Sequence, residues 1–504
     1  MNPLFKTLLC LSLCWMGSLS AAERPNVIFI AVDDLKPDIG AYGFNAPTPN
    51  IDRLAGEGTT FLNAHCQQAV CAPSRASLLT GRSPDYTQVW DLKTKIRDKR
   101  PDVVTLPQYF KQNGYETIGV GKIYDYRSVD KGQDTVSWSQ PFVPTWSLKF
   151  SPERPSLHYQ DPKIKALAAE AEAKGLKGWG PQSKFLNKNG GWPSVECQDV
   201  PDNAYDDGAM GDFAAETIRK HAGDAKPFFF AVGFKKPHLP FVAPKKYWDM
   251  IKPDMIQLAP FQERAEGSPD MAYHNFGELR SYSDIAQRGP VSAAKQRELI
   301  HGYLACVAYV DAQVGKILDA LKEAGIADNT VIVFWGDHGW HLGDHGLWCK
   351  HSNFEQATRV PLIFAAPGGV PGQKDSAPVE FLDVFPTLCA LTGLPIPSDL
   401  EGDNLAPVIE DGAPNPSDYA MSQFPRGKVM GYALRDDRYR YVAWFEPTNG
   451  TAAAADDPIL AVELYDYETD PLETRNLAVD SANGHLIAER EQALRARLAG
   501  QSAQ

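Results

Sequence analysis

Four stretches of this chain, residues 26–32, 117–120, 227–233 and 330–335, carry scarcely a charged residue and show no alternation of polar with apolar side chains. A half-solvated strand alternates; continuous runs rich in Val, Ile and Phe predict strands covered on both faces of a parallel sheet. Such a sheet needs crossover helices. Helical patterns fall between the runs at 106–114, 214–222 and 293–325. The last, one or two amphipathic helices, carries Leu299, Tyr303, Val307, Val310, Val314 and Leu318 at spacings of three and four. A further apolar run at 360–365 is expected to close the sheet, with a helix after it at 379–392. The expected class is α/β, a mixed sheet flanked by helices.

At 504 residues the chain exceeds the size at which one core stops growing, so a smaller companion unit is expected. Beyond a Pro/Gly/Asp-rich linker at 395–416, the segments 432–435, 439–445 and 463–466 alternate as antiparallel strands, and 481–498 reads as a helix. The expected division is 23–395 for the large unit and 396–504 for linker and small unit. Residues 1–22, with Lys6, an apolar centre and small residues up to Ala22, read as a secretory leader too short to span a membrane. The stretch 127–201 is irregular apart from a helical pattern at 163–175, and reads as a surface insertion near the mouth of a site.

Each buried run ends in charge. Asp33 and Asp34 follow the first, Lys122 the second, Lys235, Lys236 and His238 the third, Asp337 and His338 the fourth. In open α/β sheets ligands bind at the carboxyl edge of the strands. Two adjacent acids there suit a divalent cation, the alternative being a solvated turn or a helix cap. His238, between Pro237 and Pro240, reads either as a rigid packing residue or as a catalytic one. His341, His345 and His351 read as ordinary loop residues.

Residues 70–82 open as a loop and continue as a short helix, with Cys71 at the entrance, Pro73 in the first turn and Arg75 one turn on. A helix entrance offers unpaired N–H groups and favours an anion. The run Cys71-Ala72-Pro73-Ser74-Arg75, continuing to Leu79-Thr80-Gly81-Arg82, resembles the signature of type I sulfatases, in which the cysteine is converted to formylglycine. The likeness extends in patches over most of the chain. It includes Val32-Asp33-Asp34-Leu35, the block from Thr48 to Leu54, the block from Phe234 to Phe241 and the block from Gly336 to Phe354, with the closer likeness to the iduronate 2-sulfatase branch.

The resemblance implies an alkaline-phosphatase-like fold and a calcium ion, magnesium second, held by Asp33, Asp34, Asp337 and His338 beside the formylglycine at Cys71. It implies sulfate-facing cations at Arg75, Lys122 and Lys350, and a general acid at His238. The family places a histidine shortly after the lysine; here the sequence reads Lys122-Ile123-Tyr124-Asp125, so Asp125 either removes the proton from the formylglycine hydroxyl or positions Lys122. The implied substrate is a sulfated saccharide containing a uronic acid, and the implied partner a formylglycine-generating maturation enzyme. Lys235 or Lys236 would meet the carboxylate, unless both are solvated charges; Trp90 and Trp340 would wall the sugar, unless they are packing. The same scaffold hydrolyses phosphate and phosphonate esters, and a non-catalytic glycan-binding protein is the alternative of another class.

The net charge of −13 argues against nucleic acid and anionic membranes as partners, so a polyanion must be drawn in by local cations. After the leader, six cysteines remain. If Cys71 is modified, at most two intrachain bridges can form. Secretion or export to a periplasm follows from the leader.

Overall fold

The computed structural model describes residues 24–502; the leader expected at 1–22 lies outside them. The large sheet has eight strands: β1 (Asn26–Val32), β2 (Thr59–His65), β3 (Glu116–Gly121), β4 (Phe228–Phe234), β5 (Thr330–Gly336), β6 (Arg359–Val360), β7 (Leu362–Ala365) and β8 (Gln373–Glu380). The four expected runs are its parallel centre, in the order β5-β1-β4-β3. Register brings their carboxyl ends level: Val32 lies opposite both Phe234 and Gly336, and Gly121 opposite Gly233.

The two-residue period of each run divides it between two cores. Ile28, Ile30, Val32, Phe230, Val232 and Phe334 face helices α2 (Asp206–His221) and α3 (Ala293–Glu323). Val27, Phe29, Ala31, Phe229, Ala231 and Trp335 face α1 (Cys71–Thr80) and the helix Val384–Leu391. Helix α3 is a single helix of 31 residues.

Several boundaries differ from expectation. The segment 360–365 does not close the sheet: β7 runs antiparallel between β5 and β2, and β2 also pairs with β8. Strand β2 reads Thr-Thr-Phe-Leu-Asn-Ala-His, and β8 begins Gln-Lys-Asp-Ser. Their polarity hides them from an apolar-run criterion. Val379 and Glu380 belong to β8, so the helix expected at 379–392 begins at Val384. The stretch expected as a linker contains a helix, Ala406–Asp411. The irregular insertion holds two helices, Pro162–Ala173 and Trp179–Lys188.

The small antiparallel sheet has four strands: β9 (Ala420–Arg426), β10 (Val429–Arg435), β11 (Tyr439–Phe445) and β12 (Ile459–Asp466). One face packs on α4 (Gly484–Ser502) through Tyr441, Ala443, Phe445 and Leu494. The other puts Val442, Trp444 and Tyr465 against Leu347 and Phe354 of the large unit. The small sheet therefore braces two loops. Ser422 Oγ donates to Cys66 O (2.6 Å) and Gln423 N to Gln67 O (2.7 Å), ahead of Cys71. Arg426 Nη2 donates to His351 O (2.6 Å) and Asn353 Nδ2 to Gly431 O (3.1 Å), after Lys350. No described cysteine is in a disulfide, and no described helix is long and apolar enough to cross a membrane.

Close approach of β3 and β4 requires glycine at their ends. A Cβ on Gly233 would lie 2.2 Å from Lys122 O, and one on Gly121, whose φ is 82°, 2.2 Å from Gly233 O. Gly233→Ala is expected to lower stability by about 1–3 kcal/mol and to displace Lys122. An unchanged denaturation midpoint would contradict this.

Candidate active site

The level strand ends continue as a shared backbone ladder. Asp33 N donates to Phe234 O (3.2 Å), Asp337 N to Val32 O (3.1 Å) and Lys122 N to Gly233 O (2.8 Å). Helix α1 enters this edge with all ten of its residues buried. Val70, extended, caps it without a side-chain hydrogen bond, and Gly81, left-handed at φ 64°, ends it. Ser74 Oγ donates to Asp337 O, fixing the helix to the β5 end.

Arg75 lies at the centre. Its Nε donates to Asp337 Oδ2 (2.9 Å), Nη2 to Asp33 Oδ1 (3.2 Å), and Nη1 to the carbonyls of Lys122 and of Ile123 (3.1 Å for the latter), with Trp335 beneath. This corrects the expected sulfate-facing role: the guanidinium is enclosed by protein acceptors and acts on the site through Asp33 and Asp337.

Asp33, Asp34, Cys71 and His338 each bring one ligand atom into a group spanning at most 4.8 Å. Cys71 Sγ is 3.4 Å from His338 Nε2, and Asp34 Oδ1 is 3.2 Å from it. His338 Nδ1 lies 3.0 Å from Gly339 O, which can only accept, so the proton sits on Nδ1 and Nε2 presents a lone pair to the cluster. Asp337 stands outside that group, though it was expected in it. Its Oδ1 accepts from Asp34 N (2.9 Å), its Oδ2 from Arg75, and Oδ1 is 3.6 Å from His338 Nε2.

The two adjacent acids differ in charge balance. Burial raises Asp33, but Lys122, His238 and Arg75 overcome it and hold the carboxyl well below the usual range. Burial also raises Asp34; Lys350 opposes it, while Asp33, Glu278 and Asp337 add repulsion, and the carboxyl stands well above its usual value. A buried carboxylate so poorly compensated, beside a second carboxylate and an imidazole lone pair, fits a hard divalent cation.

The cations stand around this group. Lys122 Nζ lies 2.6 Å from Asp33 Oδ2. Lys350 Nζ lies 3.1 Å from Asp34 Oδ2 and 2.9 Å from Glu278 Oε1, above the Trp340 ring. His238 donates from Nδ1 to Leu239 O (2.6 Å) and turns Nε2 to Glu278 Oε1 (3.3 Å). Glu278 was not anticipated. It sits on a short turn, Gly277–Arg280, anchored by buried Phe276 and Leu279. A lone acid in a polar stretch carries no periodic signal.

Other expected residues fall elsewhere. Asp125 is buried and accepts from Arg127 Nε (2.8 Å), Nη2 (2.7 Å) and N (3.0 Å). Burial raises it, but Arg127 and then Lys122 hold it below its ordinary value. It is thus a poor proton acceptor, and its hydrogen bonds position Arg127 rather than Lys122. Lys236 is buried and donates to His238 O (2.6 Å) and Pro240 O (2.7 Å), shaping the His238 loop instead of meeting substrate. Lys235 is held by Asp206 (2.6 Å) and Thr145 Oγ1 (3.2 Å). Trp340 is buried against Phe241 and offers no face to a sugar, while half-buried Trp90 donates to Asp85 (2.9 Å) and packs on the small-sheet core. His341 and His345 are buried, bonded to Ser352 and Glu473 O.

The chain matches the Sulfatase family over residues 25–394 and the C-terminal family of N-sulphoglucosamine sulphohydrolase over 343–500. It is 36% identical to Iduronate 2-sulfatase of Homo sapiens, covering 93% of this chain and 94% of that protein. It is 32% identical to a sulfatase of Formosa agariphila, covering 94% and 86%. Among solved structures, BT4656 in complex with its substrate D-glucosamine-2-N,6-O-disulfate superposes with a TM-score of 0.68 at 21% identity, covering 95% and 98% of the two chains. A phosphonate monoester hydrolase of Agrobacterium radiobacter superposes with a TM-score of 0.67 at 25% identity, covering 94% and 96%. The chain belongs to the sulfatase family, with an alkaline-phosphatase-like fold, and is a sulfuric ester hydrolase. Within that family it is a homologue of iduronate 2-sulfatase along nearly its whole length.

Arg75→Met would leave Asp33 and Asp337 buried without their shared cation. In chelated protein the loss is expected at about 3–5 kcal/mol, read from chemical denaturation; a cost below about 1 kcal/mol, the range of exposed pairs, would contradict the clamp.

Proposed function

We propose that this enzyme removes an O-sulfate from a sulfated glycan containing a uronic acid, using formylglycine made from Cys71, with a catalytic unit at 23–395 braced by a unit at 396–504. The setting of Cys71 carries the reading. Burial, then the Asp33 carboxylate, pushes the thiol well above its ordinary value, so as a cysteine it is protonated and inert. Formylglycine at this position supplies a hydrated aldehyde, one hydroxyl to attack sulfur and a second to expel sulfate as the aldehyde re-forms. Asp33, Asp34 and His338, with Asp337 supporting, would hold a hard divalent ion, calcium before magnesium, which when bound would supply polarisation of a sulfate oxygen.

The chain's own side chains do the rest. Lys122 and Lys350, each resting on a carboxylate, offer Nζ to the incoming sulfate and offset its charge. Burial, then Lys350, holds His238 down to about 3, so the free imidazole is neutral. A sulfate seated against Lys350 offsets that cation and raises the proton affinity of Nε2, so that the ring takes a proton from solvent as substrate binds and gives it to the leaving sugar oxygen. The uronic acid is motivated by the likeness to iduronate 2-sulfatase. The leader at 1–22 supports secretion or a periplasmic location, and a formylglycine-generating enzyme is the maturation partner.

Mass spectrometry of active protein is expected to find an aldehyde in the peptide spanning Cys71, and Cys71→Ala to lower kcat by more than about a thousandfold. Active enzyme carrying only the thiol would overturn the reading, as would a faster rate on aryl phosphates or phosphonates than on aryl sulfates. Chelation is expected to abolish turnover and lower the Tm, with calcium restoring both more fully than magnesium. A saturating ion at a hundred times its Kd contributes about 2.7 kcal/mol, and Asp34→Asn should remove that response. A Tm indifferent to chelator would count against the ion.

A further inference from the structure

The cations at the site mouth lie in layers. The side chains of Arg75, Lys350, Lys122 and Arg127 are 0%, 3%, 14% and 36% exposed. The inner three rest on Asp33, Asp34, Glu278 and Asp337, the acids around the nucleophile. Arg127 differs. Its partner Asp125 is buried and takes Nε and Nη2 side-on, at 2.8 and 2.7 Å. That leaves Nη1 without a hydrogen bond to any described residue. The fork is also fixed from behind: Ser128 N and Oγ donate to Asp125 O (2.9 Å each), and Ile96 N donates to Ser128 O (2.9 Å).

Arg127 lies six residues beyond Gly121, the last residue of β3, on the chain segment that leaves the sheet at its carboxyl edge. Hydrogen bonding to Asp125 keeps the guanidinium charged. Tyr126, whose ring lies 5.3 Å from the guanidinium carbon, is exposed beside it and offers an apolar face. Lys235 and Lys236, the other cations of this edge, are committed to Asp206 and to backbone carbonyls.

We infer that Arg127 is a specificity-determining residue whose free Nη1 edge binds a second oxyanion of the saccharide, a carboxylate or a further sulfate, beyond the sulfate that is cleaved. This rests on the sulfated-glycan reading above. A guanidinium with one edge locked by a buried carboxylate loses little freedom on binding a second one, and its planar geometry suits either oxyanion.

The test compares wild type, Arg127→Gln and Arg127→Lys, each matured and checked for thermal unfolding, on three substrates. These are a monosulfated uronate oligosaccharide, a disulfated amino sugar without carboxylate, and a neutral monosulfated sugar. Arg127→Gln is expected to lose about ten- to a hundredfold more kcat/KM on one or both doubly anionic substrates than on the neutral one, chiefly through KM, as for one charge-assisted hydrogen-bonded pair. Arg127→Lys, keeping charge without the fork, should fall between. Selective loss on the uronate identifies a carboxylate, and on the amino sugar a second sulfate. Equal losses on all three substrates, or none, would overturn the inference and leave the sulfatase reading standing. Wild type inactive on all three sugars but active on a phosphonate ester would instead remove the reading itself, and this inference with it.

Discussion

The site depends on one buried guanidinium. Three chain ends, after β1, β3 and β5, meet at the sheet edge with three carboxylates among them, Asp33, Asp34 and Asp337, and like charges at such separation in a low-dielectric interior would drive the ends apart. Arg75 joins them: Asp33 and Asp337 through their side chains, the β3 extension through the carbonyls of Lys122 and Ile123. Because Arg75 belongs to α1, the same contacts fix the helix that carries Cys71. Cys71, the acids and Lys122 are placed by a single residue, and the remaining imbalance is left on Asp34.

The smaller sheet supplies the second constraint. It touches the large unit where two functional loops run, ahead of Cys71 and after Lys350, and holds both by backbone carbonyls. Buried Arg440 extends this brace, bonding Asn353 O and pairing with Glu473. The geometry between Cys71 and Lys350 is thus set partly by residues more than 70 positions away in the chain.

What the sequence made legible follows from burial. The central strands announce themselves because both faces are covered and every position is apolar, and the charges just past them mark the edge. Strands β2 and β8 do not, since their Thr, Asn and Lys side chains break the pattern and only pairing to neighbours makes them strands. At the site, residues following a strand were found; Glu278 and Arg127, isolated charges on loops, were not. For Trp340 the packing alternative is the one the structure shows, and Lys236 and Asp125 take roles outside those expected, for one reason: side-chain type suggests a role, whereas exposure and hydrogen-bond partners decide it, and neither is written in local sequence.

The enclosure of α1 bears on the order of events in the life of the chain. Cys71 is 2% exposed, and its helix is covered by strand ends that come from positions 33, 122 and 337. If Cys71 is converted as proposed, the converting enzyme must reach a side chain that the docked end of β5 helps to cover. On the proposed reading, conversion of Cys71 competes with folding in time: the segment is complete some 250 residues before Asp337 has been synthesised, and that interval is the window for it.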